Sequence, residues 1–244
     1  MQESSATSRA SYDAWHRGLG VEWECNCPWH QEVKAALPRW GGVGGRSVLE
    51  IGCGRGAMSV WLASQEPAPR LVVGADFSPA AVELAQSLTR AQPSLPVPWA
   101  VEDIQAIRQP DESFDLVLSC ETIEHVPDPA AALGELARVL KPGGLLLLTF
   151  PNYLSTIGLY RVYGALRGRV FREEGQPINH PLRTTQVWRW LRRAGFQVVQ
   201  FRARGHYLLL PGRAPRELRF LEKPQWLMRW FGSHPLVVAR KTTR

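Results

Sequence analysis

Short apolar runs alternate with amphipathic stretches over the first 150 residues of the chain. The runs are predominantly apolar, as in strands that are buried on both faces. They lie at residues 47–51, 71–75, 97–101, 114–119 and 145–150. Between two of them, Ala81, Leu84, Ala85 and Leu88 recur at helical spacing. This alternation predicts βαβ units, a parallel sheet and helices on both of its faces.

The pattern changes after residue 151. Residues 152–182 and 205–231 are aromatic and basic and contain no clear strand, whereas 196–201 and 236–239 read as two further strands. Other helices are predicted at 11–19, 28–37 and 57–65, at a segment capped by Asp128 and ended by Gly143 and Gly144, and at a segment capped by Thr184 and ended by Gly195. With 244 residues, the chain is long enough for one large α/β domain with insertions.

The turn after the first predicted strand carries the most informative motif. Gly52, Gly54 and Gly56 stand at alternate positions, and Glu50 precedes them by two residues. Glycines let a backbone turn tightly and approach a ligand closely. A dinucleotide turn reads G-x-G-x-x-G and binds a pyrophosphate. Here the third glycine comes one residue early and a carboxylate would repel phosphate, so the turn favours a cationic ligand.

Asp76 follows the second predicted strand. Ligands of open α/β sheets bind beyond the carboxyl ends of the strands, so Asp76 is placed to accept hydrogen bonds from the hydroxyls of a ribose. The alternative interpretation is an acid at the start of a helix, where the helix dipole favours it. Glu102 and Asp103 follow the third strand in the same way.

These motifs resemble those of the class I S-adenosylmethionine-dependent methyltransferases over about residues 46–151. The glycine turn is similar to the family's first motif, 114–126 to its fourth strand and the turn after it, and 140–144 to the turn before its fifth strand. The resemblance implies a Rossmann-like α/β sandwich of three layers. Its seven-stranded sheet is mostly parallel, and the last strand inserts antiparallel between the fifth and the sixth.

The resemblance also implies the cofactor S-adenosylmethionine, with S-adenosylhomocysteine as its product. This ligand carries a sulfonium and an ammonium and no phosphate, which agrees with Glu50. Asp103 is expected at the adenine amino group and Ile104 against the ring, with Glu102 as the alternative one register step away. The cofactor-binding residues are then Glu50, Gly52, Cys53, Gly54, Gly56, Asp76, Phe77, Asp103, Ile104 and Cys120.

The expected reaction is in-line transfer of a methyl group to a small or lipid-like metabolite, with a hydroxyl acceptor favoured. A hydroxyl needs a base whose pKa is near the working pH, which indicates a histidine. His125 follows the fourth strand, and His180 precedes the helix at Thr184, where the family often places a residue that faces the acceptor. His206 opens the second irregular stretch. The alternatives are a turn residue for His125 and a helix-entry residue for His180.

The first 45 residues are expected to form a helical lid, as the leader often does in this family, with residues 46–244 as the methyltransferase domain. Trp15, Trp23, Trp29 and Trp40 crowd this leader. Its cluster of Cys25, Cys27 and His30 is interpreted as structural and no metal is expected, because metal sites usually space cysteines more widely and need a fourth ligand.

Charge is unevenly distributed along the chain. Residues 151–244 contain 18 Lys and Arg against 4 Asp and Glu, a net charge of +14, whereas residues 1–150 carry −7. This asymmetry predicts an anionic or amphipathic acceptor. The first arginines expected to hold it are Arg161, Arg167, Arg169 and Arg172. The alternative is a set of solvated faces.

Peripheral membrane contact is a further interpretation. Trp226 and Trp230 lie four residues apart beside Arg229, as in a helix at a membrane surface. No apolar run reaches the roughly 18 residues of a membrane span. The polar start and the four cysteines without a disulfide framework indicate a cytoplasmic setting.

Nucleic acid is disfavoured as the substrate. No Asn/Asp-Pro-Pro-Tyr/Phe motif and no Pro-Cys nucleophile follow the fourth strand. Two alternatives stay open, an RNA methyltransferase that uses the basic C-terminal third and a cofactor-binding scaffold without catalysis. The acceptor's identity and the oligomeric state are not determined by the sequence.

Overall fold

The structure is a computed structural model that describes residues 5–19, 25–91, 95–168, 178–208, 216–218, 220 and 229–243. The helices are α1 (Ser5–Leu19), α2 (Pro28–Ala36), α3 (Ala57–Ala63), α4 (Pro79–Ala91), α5 (Pro129–Val139), α6 (Thr156–Leu166) and α7 (Thr184–Arg193). The strands are β1 (Ser47–Ile51), β2 (Leu71–Asp76), β3 (Trp99–Val101), β4 (Phe114–Cys120), β5 (Leu140–Thr149), β6 (Phe196–Arg204), β7 (Tyr207–Leu208), β8 (Arg216–Glu217) and β9 (His234–Lys241).

Seven strands form one sheet in the order β3-β2-β1-β4-β5-β9-β6. Strands β1 to β5 pair in parallel, and β9 runs antiparallel to both β5 and β6. The predicted Rossmann-like sheet is therefore confirmed, including the insertion of the last strand between the fifth and the sixth.

Helices cover both faces of this sheet, because side chains of a strand alternate between its faces. In β1, Leu49 and Ile51 belong to the hydrophobic cluster that contains residues of α5 and α7. Val48 belongs to the cluster that contains Val33 of α2 and Met58 of α3. Burial on both faces explains why the strands read as predominantly apolar runs rather than as an alternating pattern.

Several predicted boundaries are wrong. β5 begins at Leu140, directly after α5, so Gly143 and Gly144 lie within the strand and do not end the helix. The N-cap of α7 is Arg183, and Thr184 is its first helical residue. Propensity specifies helix ends weakly, and here the pairing of Leu140 with Phe114 extends the strand.

The two stretches predicted as irregular contain secondary structure. α6 lies in the first, and the two-stranded ribbon of β7 and β8 lies in the second. Ser155 caps α6 by accepting a hydrogen bond from the Ile157 N–H at 3.1 Å. No helix among the described residues is long and apolar enough to cross a membrane.

Candidate functional site

A cavity of about 480 Å³ lies beyond the carboxyl ends of β1, β2 and β4. Its volume is within the range of small-molecule sites, roughly 300–1,000 Å³. The turn after β1 and the residues that follow β2, β3 and β4 form one side, and α1 contributes the opposite wall. The parallel sheet creates this position because all of these strands end at one edge.

The glycine turn exposes its backbone to the cavity. Gly52 has φ +75°, and a Cβ there would lie 2.2 Å from the Thr122 hydroxyl oxygen, so no other residue fits. Gly54 has φ +53°, and the nearest heavy atom to a Cβ there would be His16 Cε1 at 3.8 Å. Gly56 is the N-cap of α3. The turn therefore leaves room for a ligand against its backbone.

Asp76 ends β2 and holds this turn in place. Its Oδ2 accepts a hydrogen bond from the Gly54 N–H at 2.8 Å, and its Oδ1 accepts one from the Ser78 N–H at 2.9 Å. A carboxylate offers about four acceptor positions, so further donors can bind. Burial raises the pKa of Asp76, and the nearby His16 opposes this shift.

Acidic side chains outnumber basic ones around the cavity. Glu50, Asp76, Glu102, Asp103 and Glu121 line it, and Arg55 is the one Lys or Arg among its described lining residues. Glu50 is buried and accepts a hydrogen bond from the Ser59 hydroxyl. The site is therefore suited to a cationic ligand and unsuited to a phosphate.

The carboxylates after β3 have different partners. Glu102 accepts hydrogen bonds from the Arg108 Nε–H at 3.2 Å and from the Gln109 side chain at 3.3 Å, so its two oxygens are engaged within the protein. Asp103 Oδ1 accepts a local bond from the Gln105 N–H at 2.9 Å. Both residues line the cavity together with Ile104. This arrangement favours Asp103 over Glu102 as the residue that binds a ligand.

One face of α1 lies over the cavity. Ser8, Tyr12, Trp15 and His16 line it, at the i, i+4, i+7 and i+8 spacing of a single helix face. Asp13 holds α1 against the start of α4, because its Oδ1 accepts hydrogen bonds from the Ser78 hydroxyl and from the Ala80 N–H. The sequence analysis missed Ser8, Tyr12 and His16, although this spacing was a usable signal.

Tyr12 connects α1 to Phe77 and His125. Its ring meets those of Phe77 and His125 edge-on, with centroids 6.4 and 6.5 Å apart. Its hydroxyl donates a hydrogen bond to the His125 carbonyl at 3.4 Å. Phe77 also lies under the Arg9 guanidinium, 4.5 Å from the ring centroid. These contacts close the cavity above Asp76.

His125 lines the cavity, and its tautomer is fixed by the backbone. Its Nδ1 lies 2.6 Å from the Ile178 carbonyl, which can only accept, so Nδ1 carries the proton and Nε2 the lone pair. Nε2 is 3.3 Å from Glu124 Oε1. Burial lowers the pKa of His125. Burial therefore favours the neutral imidazole, whereas the Glu124 carboxylate favours a proton on Nε2.

His180 and His206 do not line the cavity. The His180 N–H donates to the Glu124 carbonyl at 2.8 Å, and its imidazole lies close enough to lower the pKa of His125. His206 is buried, and its carbonyl accepts a hydrogen bond from the Leu218 N–H. Of the three histidines considered from the sequence, only His125 is placed at the site.

Residues of the leader and of β4's end complete the cavity. Cys27, Trp29 and His30 line it as well, and His30 lies on α2. Burial and Lys34 lower the pKa of His30 to about 4. Cys53 and Cys120 also line the cavity, and burial raises the pKa of both thiols, which are therefore neutral.

Glu121 was not recognised from the sequence. It has φ +47°, a conformation that is strained for a residue with a side chain. Its Oε2 lies 3.5 Å from His234 Nδ1, and its buried Oε1 has no hydrogen-bond partner. Nothing in a linear sequence signals such a backbone conformation at a glutamate. A buried carboxylate oxygen at the cavity wall can accept a hydrogen bond from a ligand.

Of the arginines expected to hold the acceptor, the two that the structure describes do not line the cavity. Arg161 belongs to α6 and Arg167 follows its last residue, whereas Arg169 and Arg172 lie outside the described residues. The physical reason is the position of α6, which has no buried residue and carries these two arginines on the protein surface.

The predicted interfacial helix is not confirmed. Trp226 lies outside the described residues. Trp230 lies in a turn, and its ring packs against Phe201 and Trp188 with centroids 5.1 and 5.8 Å apart. This tryptophan therefore packs against the protein interior.

Comparison with known proteins agrees with this geometry. Residues 49–148 match a family model described as a methyltransferase domain. The chain is 41% identical over 117 residues to the 2-methyl-6-phytyl-1,4-hydroquinone methyltransferase of Synechocystis sp., covering 46% of the chain and 36% of that protein. It is 32% identical over 121 residues to the ubiquinone biosynthesis O-methyltransferase of Coxiella burnetii, covering half of each. The chain thus spans between about a third and a half of these relatives.

Solved structures share the whole architecture. A methyltransferase solved with the Trm112 methyltransferase activator of Haloferax volcanii has a TM-score of 0.68 at 23% identity, over 97% of this chain and 98% of that one. An S-adenosylmethionine-dependent methyltransferase from Mesorhizobium loti has a TM-score of 0.59 at 21% identity, over 86% and 96%. At these identities the likeness concerns the fold. Residues 49–148 thus match a methyltransferase domain, and the solved structures share the Rossmann-like fold that surrounds it.

Proposed function

We propose that this protein is an S-adenosylmethionine-dependent methyltransferase that acts on a hydroxyl group of a small or lipid-like metabolite. The observation that carries the proposal is that the glycine turn, Asp76 and His125 face one cavity. The turn and Asp76 suit a cofactor that contains a ribose, and His125 suits the deprotonation of an acceptor.

The residues present fit the cofactor. The open space at Gly54 admits a ligand against the backbone, and the remaining acceptor positions of Asp76 suit two ribose hydroxyls. Asp103 would accept from the adenine amino group, and Ile104 would pack on the ring. Glu50 supplies negative charge for a cationic ligand. When bound, S-adenosylmethionine would supply a methyl group on a sulfonium, and the sulfur would be the leaving group of an in-line displacement.

His125 would serve as the general base. Nε2 carries the lone pair, so it would take the proton of the acceptor hydroxyl, and Glu124 would stabilise the imidazolium that forms. Glu121 would position the acceptor through its unpartnered Oε1. α1 would act as a lid that excludes water from the reacting groups.

The acceptor class follows from the cavity and from the relatives. Tyr12, Trp15 and Trp29 give the walls aromatic surface that suits a planar ring. The name of the Synechocystis relative describes a hydroxylated ring that bears a phytyl tail. A hydroxylated aromatic compound with an apolar tail is therefore the proposed acceptor. The acidic walls count against an RNA backbone, and the proposal includes peripheral contact of the enzyme with a membrane.

Calorimetry and turnover test the proposal together. The chain should bind S-adenosylmethionine and S-adenosylhomocysteine, bind NAD poorly, and transfer labelled methyl groups to a hydroquinone with a short tail. Asp76→Ala should weaken cofactor binding by about 1–3 kcal/mol, because buried hydroxyls lose their acceptor. The matched control is Asp115→Ala. Asp115 accepts a backbone N–H from Ser47 at 2.8 Å but lies at the opposite edge of the sheet. Tight NAD binding without S-adenosylmethionine binding would refute the proposal.

A further inference from the structure

The apolar side of α6 points outward. Leu159, Val162, Tyr163 and Leu166 follow the i, i+3, i+4, i+7 spacing that normally marks the buried face of a helix. Their exposed fractions are 71%, 59%, 37% and 82%, and α6 has no buried residue. A contiguous apolar face of this kind on a helix marks an interaction surface rather than a scatter of single hydrophobic residues.

The fold fixes this orientation. A Cβ on Gly158 would lie 2.0 Å from the Tyr153 carbonyl oxygen. The side of α6 that carries Gly158 therefore lies directly against the backbone of Tyr153, and the apolar face is turned away from it. Ser155, which caps the helix, is buried and donates a hydrogen bond to the Asn152 carbonyl. Asn152 in turn donates to the Gly232 carbonyl at 3.0 Å. α6 is thus anchored at its start with its apolar face turned to solvent.

Arg167 borders the apolar face, whereas Arg161 lies on the other side of α6, against Tyr153. The Arg161 guanidinium lies 5.3 Å from the Tyr153 ring centroid, and that of Arg167 lies 5.2 Å from the Tyr163 ring centroid. From residue 151 to residue 172 the chain has four arginines and no acidic residue. An apolar centre with arginine and tyrosine at its border matches the boundary between acyl chains and anionic headgroups.

The geometry points to α6 as a docking helix for the surface of an anionic phospholipid bilayer. Leu159, Val162 and Leu166 would enter the acyl boundary, while Arg167 would meet lipid phosphates. The charge favours this partner over a second copy of the chain, because two copies would bring like-charged arginines together.

The position of α6 connects docking to the cavity. The Tyr153 hydroxyl donates to Asn179 Oδ1 at 3.1 Å, and the Tyr153 N–H donates to the Leu182 carbonyl at 2.8 Å. Ile178, in the same segment, lines the cavity. A bilayer held by α6 would therefore lie beside the site, and an acceptor with an apolar tail could reach it from the lipid. This last step rests on the proposed function, whereas docking itself does not.

Vesicle flotation tests the docking directly. At low salt the full chain should float with vesicles of phosphatidylcholine and phosphatidylglycerol, float less with phosphatidylcholine alone, and detach as salt screens the arginines. Leu166→Glu should weaken binding at least about tenfold, because an apolar side chain is lost from the lipid and a negative charge is added. Leu159→Glu should weaken vesicle binding to a similar extent.

Leu71→Glu is the matched control. Leu71 is 38% exposed at the amino end of β2, on the edge of the sheet opposite the cavity, so the same change there should leave flotation unaltered. Equal flotation of Leu166→Glu and Leu71→Glu, or no flotation of the wild type, would overturn the docking. So would a wild-type dimer, measured by analytical ultracentrifugation, that Leu166→Glu dissociates.

Cofactor calorimetry separates docking from the proposed function. Leu166→Glu should bind S-adenosylmethionine as tightly as the wild type and should methylate a water-soluble acceptor at the wild-type rate. It should methylate a long-tailed acceptor in vesicles more slowly. Flotation that depends on Leu166 without any cofactor binding would support docking and refute only the proposed function.

Discussion

Replacing His125 by asparagine isolates its proposed role as a base. The amide nitrogen of asparagine lies near the position of Nδ1, so His125→Asn can keep the hydrogen bond to the Ile178 carbonyl, which is 2.6 Å long in the wild type. It removes Nε2, the nitrogen that carries the lone pair. The change therefore removes the base while the segment that contains Ile178 keeps its anchor.

The expected loss is large. A general base contributes about 10²–10⁴ in rate, which corresponds to roughly 3–5.5 kcal/mol of activation free energy. Loss of the neutral hydrogen bond alone would cost about 1 kcal/mol, so a purely structural role predicts a much smaller effect. His180→Asn is the control, because His180 does not line the cavity and its loss should leave kcat close to the wild-type value.

The pH profile gives an independent readout. Burial lowers the pKa of His125 below its ordinary value of 6.5. The base works unprotonated, so kcat/KM should rise with pH through this pKa. In the wild type the acidic limb of the profile should lie below pH 6.5. In His125→Asn this limb should be absent. Labelled-methyl transfer to a hydroquinone measures both quantities. A general base contributes more than about a threefold rate increase. If kcat of His125→Asn stays within about threefold of the wild-type value, positioning of the reactants alone accounts for the rate.

Two further predictions concern the leader. Asp13→Ala should weaken binding of S-adenosylhomocysteine about threefold to thirtyfold, because α1 loses two hydrogen bonds to the start of α4. A dissociation constant that calorimetry finds unchanged would contradict the role of α1 as a lid. His30 has a pKa of about 4 in the fold and 6.5 when unfolded, so the unfolded state binds more protons as pH falls and stability drops from pH 6.5 to 4. His30→Gln should reduce this loss by roughly 2–3 kcal/mol at most, and urea titrations that stay parallel at all pH values would contradict it.

The sequence by itself determined the sheet and the centre of the site. Buried parallel strands need apolar residues on both faces, so β1 and β4 were readable as predominantly apolar runs. The turn at Gly52 and Gly54 was readable because positive φ and close approach require glycine. Asp76 followed from its place at the end of a strand. Each of these features depends on a local pattern or on a rule that holds for all parallel sheets.

Only the tertiary structure decided what surrounds that centre. Burial against distant segments placed His125 at the cavity and left His180 out of its lining, although the sequence offered both as candidates. The outward direction of Leu166 reverses the usual meaning of helical apolar spacing. The strain at Glu121 left no local signal. Side-chain burial, direction and pKa depend on atoms far apart in the chain, and a periodic pattern does not specify which of its faces a partner covers.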